Sequence, residues 1–215
     1  MTNIFLLLLL IILMYNINVT KPFGPFIFEC ICPQNVTNKF NSFVDNMDQK
    51  TKELCSSSYS KVDGFPDLLE RGFEIIYLTS NQCEDIGFTS FIGGIVPEYM
   101  KLFNVDNAEI CFTTPHFSNL FVEVWVNRYF KGNYTPPHDH HGHISGITIL
   151  DLPSDSDWYD LHNLEFVWNN EHHRPDQEIG KTFLFPSNLM HWVTKQKSFL
   201  ERRTVSFNLH VNTPQ

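Results

Sequence analysis

Alanine is nearly absent, occurring once, at Ala108. A chain poor in the strongest helix former and rich in Asn, Phe and Ile is not built for a helical bundle, and its β-branched and aromatic residues point to a sheet-rich architecture. Basic residues are scarce as well. Lys and Arg total 15 against 24 acids, for a formal net charge of -9. No stretch gathers the basic residues into a patch able to neutralise a row of phosphates, which disfavours nucleic acid as a partner. Charged residues are only 18% of the chain while 42% is hydrophobic and 20 residues are Phe, so wholesale disorder is excluded. The five cysteines, Cys30, Cys32, Cys55, Cys83 and Cys111, lack the paired CxxC spacing of a zinc ribbon and the density of a disulfide framework. They read as buried small hydrophobes, with one or two disulfides in an oxidising compartment as the alternative.

What is present begins with an apolar N-terminus. Residues 4–14 are eleven consecutive apolar side chains, long enough for the hydrophobic region of a signal peptide and too short to span a bilayer unaided. No Lys or Arg precedes them, and Tyr15-Asn16-Ile17-Asn18 lacks the small residues of a cleavage site. An uncleaved anchor, with membrane contact through residues 4–14, therefore stands beside the signal peptide, and a cytoplasmic location beside both. Asn-x-Thr sequons at Asn18, Asn35 and Asn133 add little in so Asn-rich a chain. The expected division is residues 1–20 as signal peptide or anchor and residues 21–215 as a single domain.

After Pro33, the spacing of Phe40, Phe43, Val44, Met47 and Leu54 predicts an amphipathic helix, with Asn35 or Thr37 as N-cap and Ser56-Ser57-Ser58 at its end. A shorter helix is expected from Pro97, placed in its first turn, through Tyr99, Leu102 and Phe103. From Asn119 the period becomes two: Leu120, Val122, Val124 and Val126 alternate with Phe121, Glu123, Trp125, Asn127 and Tyr129, a strand with one apolar face, ending at the turn Lys131-Gly132-Asn133. Further strands are expected over residues 144–150, 164–168, 181–185, 190–195 and 203–211, between clusters of Pro, Gly, Asn and Asp. Short strands with such turns suggest a sandwich or barrel. The polar stretches 153–158 and 169–180 read as excursions over its mouth, where Trp158, Tyr159, His162, Trp168, His172 and His173 would form an aromatic lid suited to a small molecule or a peptide.

The densest chemical signal is Pro136-Pro137-His138-Asp139-His140-His141-Gly142-His143. In an extended segment, side chains two apart share a face, so His138 and His140 can present imidazoles to one metal ion while Asp139 turns away. His191 is the best third ligand, because antiparallel pairing can bring its strand beside the first pair. A His-rich tract can also collect metal adventitiously. Near the C-terminus, strand alternation groups Arg202, Thr204, Ser206 and Asn208 on one face and turns Arg203 to the other, a polar set that suits a lined pocket or, alternatively, a solvated outer face.

Trp-Val-Asn-Arg-Tyr-Phe-Lys-Gly from Trp125, His138-x-His140, Ser145-Gly146, Phe-Pro-Ser-x-Leu-x-His-x-Val ending at Val193 and Glu-Arg-Arg-Thr-Val-Ser-Phe-Asn ending at Asn208 follow one another in order. In this the chain resembles the iron(II)- and 2-oxoglutarate-dependent oxygenases of marine phage and bacterial genomes, relatives of the prolyl hydroxylases. The resemblance implies a mainly β fold, a double-stranded β-helix or jelly roll with N-terminal supporting helices. It implies Fe(II) held by His138, His140 and His191, with His140 where many relatives carry Asp or Glu, and Asp139 serving instead only if the strand is bulged. It makes Arg202 the partner of the 2-oxoglutarate C5 carboxylate, with Ser206 beside it. Ile149 stands where relatives often carry a cosubstrate-binding tyrosine, and Tyr129 is the residue that would compensate. The implied activity is hydroxylation of a substrate with succinate and CO2 as coproducts. Two alternatives remain: a cupin-like three-His dioxygenase without 2-oxoglutarate, and a non-catalytic jelly-roll binding domain.

Overall fold

A computed structural model describes residues 15–22, 24–48, 74–105, 109–115, 120, 122–155 and 157–212. The apolar run 4–14, Leu54, Cys55, Ser56 to Ser58, Asn119 and Phe121 lie outside the described residues. In chain order the elements are β1 (Asn18–Thr20), β2 (Ile27–Ile31), α1 (Gln34–Asp45), β3 (Glu74–Tyr77), α2 (Ser80–Ile86), α3 (Phe88–Lys101), β4 (Glu109–Phe112), β5 (Val124–Tyr129), β6 (Thr135–His138), β7 (Ile144–Asp151), α4 (Trp158–Leu161), β8 (Leu164–Trp168), β9 (Glu171–His173), β10 (Lys181–Pro186), β11 (Met190–Val193) and β12 (Arg202–Asn212). Among the described residues, no helix is long and apolar enough to cross a membrane.

Two antiparallel sheets form the body. The larger has eight strands in the order β1-β2-β10-β7-β12-β5-β3, with β4 also pairing β12, and the smaller has four, β6-β11-β8-β9. Alternation along the strands of the large sheet feeds two cores. Phe28, Val126, Leu150, Leu184, Val205, Phe207 and Leu209 face the helices, where they pack with Phe40 of α1 and Phe88, Phe91 and Ile95 of α3. Ile27, Tyr129, Ile147, Ile149, Phe183 and Phe185 face inward and meet Leu164, Phe166 and Val193 of the small sheet. This jelly-roll arrangement agrees with the mainly β expectation. Its centre is β12, eleven residues long and hydrogen-bonded on both sides to β7 and β5. Packing is tight there: a Cβ built on Gly146 would lie 2.1 Å from the Phe207 ring, so only glycine fits opposite it.

Several boundaries differ from the sequence expectation. Helix α1 starts at Gln34 with Pro33 as N-cap, not at Asn35 or Thr37, because the Pro33 carbonyl already accepts the Val36 and Thr37 amides. The Thr37 hydroxyl instead donates to the Gln34 carbonyl, 2.9 Å away. The helix stops at Asp45, where Asn46 folds its side chain back onto Ser42. Pro97 lies inside α3 rather than in its first turn. The carbonyl that loses its donor belongs to Gly93, where an added Cβ would meet nothing within 4 Å. Helix α2 starts at a capping box of Thr79 and Gln82, a Thr-x-x-Gln motif. Strand β5 begins only at Val124, and both of its faces are buried, one under the helices and one between the sheets. The 169–180 excursion contains a strand: Asn169 and Asn170, both at positive φ, make the tight turn that folds β9 back onto β8. Cys30, Cys32 and Cys83 are buried free thiols and Cys111 is an exposed one.

Candidate active site

His138 closes β6, and His191 is its direct cross-strand partner on β11. That register brings the two rings to 4.3 Å between centroids. His140 lies two residues beyond His138, its ring 4.8 Å from His138 and 5.1 Å from His191. One ligand atom from each of the three lies within 4.8 Å of the others. The tautomers are set by the backbone. Nδ1 of His138 is 2.8 Å from the Pro136 carbonyl, and Nδ1 of His191 is 2.9 Å from the Leu189 carbonyl. A carbonyl only accepts, so both Nδ1 atoms carry the proton and each Nε2 keeps its lone pair for a ligand bond. Burial, with the neighbouring imidazoles, holds His191 well below its usual range and pushes His140 down to about 3, so both rings are neutral near pH 7. Phe185 and Phe166 flank His191, and Trp125 sets its ring 5.5 Å from His140. Asp139 is exposed and takes no part in the cluster; the structure brings His140, not Asp139, to the pair.

The loop that carries His140 is clamped. Its amide donates to the Ser187 carbonyl at 2.9 Å, the Ser187 amide donates to the His143 carbonyl at 3.2 Å, and the His143 amide donates to Leu209 at 2.9 Å. Gly142 sits at φ +110, and a Cβ there would meet the Leu209 carbonyl at 3.1 Å. Beneath the loop runs a polar chain that sequence reasoning missed. Ser145 Oγ donates to Asn208 Oδ1 at 2.7 Å and lies 3.0 Å from Ser187 Oγ, Asn208 Nδ2 donates to Glu123 at 3.0 Å, and Glu123 also accepts from Thr113.

The polar face of β12 points between the sheets, not to solvent: Arg202, Thr204, Ser206 and Asn208 are all buried. Ser206 is paired with Trp125, at the level of His140, and its Oγ accepts from Asn127 at 3.0 Å. Arg202 lies four residues back along the strand, about 13 Å at 3.3 Å per residue. It is paired with Tyr129, whose ring stands 5.3 Å from the guanidinium carbon and whose hydroxyl is 2.7 Å from Thr135 Oγ1. Arg202 is wholly buried, yet only Nη2 has a hydrogen-bond partner, Gln177 Oε1 at 2.6 Å; Nε and Nη1 have none among the described residues. Its neighbour Arg203 does face the other way, onto Asp45 and Asn41 of α1 and onto Glu201. Gln177 lies in a polar stretch with no periodicity, so nothing local in the sequence marked it.

The expected aromatic lid is not a single surface. Trp158 and Tyr159 are exposed, with His162 stacked on Trp158 at 4.4 Å and bonded to Asp176. His172 belongs to another group, with Glu165 and Trp192, on the outward face of the small sheet, because Leu164 and Phe166 take the inward positions of β8.

Residues 123–208, the segment holding all three histidines and Arg202, match the family described as "Putative 2OG-Fe(II) oxygenase". This segment is that of a 2OG-Fe(II) oxygenase. The oxygenases are oxidoreductases, and the motifs noted from Trp125 to Asn208 fall within the matched residues. Among solved structures, the chain is similar to HygX from Streptomyces hygroscopicus with nickel and 2-oxoglutarate bound, at 12% identity and a TM-score of 0.53 over 94% of this chain and 85% of that one. That likeness is one of fold. A prolyl-4-hydroxylase from Pseudomonas putida gives 10% identity and a TM-score of 0.49, covering 95% of this chain and 96% of that one. A 2OG-Fe(II) oxygenase family oxidoreductase from Burkholderia pseudomallei gives 10% and 0.48, covering 66% and 71%. No curated protein matches the chain.

Proposed function

We propose that this oxygenase binds Fe(II) through Nε2 of His138, His140 and His191, anchors the C5 carboxylate of 2-oxoglutarate on Arg202, and hydroxylates a small-molecule or peptide substrate with succinate and CO2 as coproducts. The observation that carries this reading is the state of Arg202: a wholly buried guanidinium with two unpartnered nitrogens. Burying such a group without an anion is costly, and a bound carboxylate supplies both the countercharge and the missing acceptors. The same observation weighs against a three-His enzyme that works without 2-oxoglutarate, which would have nothing for Arg202 to hold.

The residues suit the metal. Burial keeps His140 and His191 neutral near pH 7, and with His138 they make a set of imidazole ligands that suits Fe(II) and leaves positions open for other ligands. Iron bound there supplies the redox chemistry that couples oxidation of the oxo acid to oxidation of a C–H bond. The chain does the rest. His138 and His191 are held in one tautomer by backbone carbonyls, and the clamped 139–143 loop sets the third imidazole. Arg202 fixes the far end of the cosubstrate, and Tyr129 walls that end with its ring. Ser206, with its Asn127 partner, offers the polar contact between the two. Ile149 sits in the apolar core between the sheets, so the distal carboxylate relies on Arg202 rather than on a tyrosine at that position. Phe166, Phe185 and Trp125 keep the metal-facing wall apolar, which excludes water from the reacting centre.

Anaerobic titration of the protein with Fe(II) and then 2-oxoglutarate tests the proposal. A visible charge-transfer band that saturates at one equivalent of each is expected. Iron binding without that band, or no iron binding, overturns it.

A further inference from the structure

Among the described residues, Arg202 is the one arginine without a carboxylate partner. Arg128 and Arg203 share Glu201, Arg203 also reaches Asp45, and Arg174 reaches Glu165. Arg202 is also the most completely buried of them. Asp160 acts on it only through space, because the Asp160 carboxylate accepts the Lys197 and Ser198 amides at 2.8 and 3.0 Å. The contact that Arg202 does make is to a neutral amide, Gln177 Oε1. Gln177 cannot turn freely. Its Nε2 donates to the Leu161 carbonyl at 3.0 Å and to Asn163 Oδ1 at 3.2 Å, which directs Oε1 to the guanidinium. Asn163, which holds Gln177 in this way, is itself wholly buried.

We propose that Gln177 is a specificity-determining positioning residue: it orients the Arg202 guanidinium through an uncharged amide, leaving the positive charge for the distal carboxylate of the cosubstrate. The site therefore selects dicarboxylic over monocarboxylic 2-oxo acids. This rests on Arg202 as the carboxylate anchor proposed above. The physical point is competition. A glutamate at position 177 would be a tethered carboxylate at high effective concentration, and it would neutralise Arg202 before any ligand arrived. Glutamine has nearly the same shape, holds the fork and does not compete.

The test is anaerobic titration of the Fe(II)-loaded protein with 2-oxoglutarate and with 2-oxopentanoate, which has the same carbon chain without the distal carboxylate. Dissociation constants are read from the absorption of the chelate. Gln177→Glu should weaken 2-oxoglutarate about 10- to 100-fold while leaving 2-oxopentanoate and Fe(II) within about twofold of the parent, erasing the preference for the diacid. Gln177→Met, which removes the clamp without adding charge, keeps the question open to measurement if the glutamate variant folds poorly; it should weaken 2-oxoglutarate about 3- to 10-fold and spare 2-oxopentanoate. Equal losses for both acids would mark a merely structural residue and overturn the proposal. So would 2-oxoglutarate affinity retained in both Gln177 variants while Arg202→Met loses it. Retention of 2-oxoglutarate affinity in Arg202→Met itself would instead overturn the anchor reading.

Discussion

Replacing Arg202 by Met should make the metal-free protein more stable while destroying its grip on 2-oxoglutarate. The two side chains are both long and unbranched, so the volume is nearly conserved and little cavity opens. On the folded side, the charged form of Arg202 is disfavoured. Burial holds its pKa down to about 10 from 12.5, against the favourable influence of Tyr129 and Asp160. At about 1.4 kcal/mol per tenfold, that difference corresponds to about 3 kcal/mol of destabilisation of the folded state, present at neutral pH and relieved only as the pH rises from the folded value towards the unfolded one. Nε and Nη1 add two unmade hydrogen bonds. Against this stands one charged hydrogen bond to Gln177, about 1.5 to 3 kcal/mol, whose loss leaves Oε1 unpartnered in turn. The balance favours Met by about 1 to 2 kcal/mol, in line with other replacements of buried charge by apolar groups. For a chain of this length it should appear as a rise of about 2 to 8 °C in melting temperature. The assay is thermal and urea denaturation of metal-free parent and variant, with 2-oxoglutarate titration of the Fe(II)-loaded forms alongside. A variant that is less stable than the parent by more than about 1 kcal/mol would refute the reasoning, because Arg202 would then be satisfied by the fold and not reserved for a ligand.

Three further outcomes are expected. His191→Ala should abolish Fe(II) binding and succinate formation while the far-ultraviolet circular dichroism keeps its β signature; retained metal affinity would remove His191 from the ligand set. Gly146→Val should lower stability by about 3 kcal/mol or more, seen in urea denaturation, since its branched side chain would have to occupy the space of the Phe207 ring 2.1 Å from the Cβ. Glu201→Gln should show a stability loss that depends on pH. Burial alone would raise the Glu201 pKa, but hydrogen bonds from Arg128 and Arg203 outweigh it and hold the group down to about 2. The stabilisation it contributes, about 1 to 3 kcal/mol, is therefore complete above the unfolded value near 4.5 and fades as the pH falls towards about 2. Denaturation curves of parent and variant should converge in acid; a constant gap across that range would show that the charge is not responsible.

Much of the second half of the chain was legible in advance because a strand's period of two is local information. The expected strand at 164–168 coincides with β8, and those at 144–150, 181–185 and 203–211 match β7, β10 and β12 to within one residue at each end. In the first half, β1, β2, β3 and β4 escaped notice. They are short, three to five residues each, and bury side chains on both faces or sit at the sheet's edge, so no alternation advertises them. The start of α1 was misplaced because a proline carbonyl, not a side chain, accepts its first amides. The lid expectation failed because Trp158, Tyr159 and His162 gather on and just after α4, whereas strand pairing puts His172 with Glu165 and Trp192 on the outward face of the small sheet.

The amino-acid order by itself determined which side chains share a face: the His138 and His140 pair, and the polar row from Arg202 to Asn208 opposite the apolar row of Val205, Phe207 and Leu209. These follow from the geometry of an extended backbone and need no partner strand. Tertiary structure decided which face is covered and by what. The pairing of β6 with β11 placed His191 against His138, the second sheet buried the polar face of β12, and a distant glutamine met Arg202. Cross-strand register is set by interactions between segments far apart in the chain, and a one-residue slip would have turned the same side chains to the opposite side.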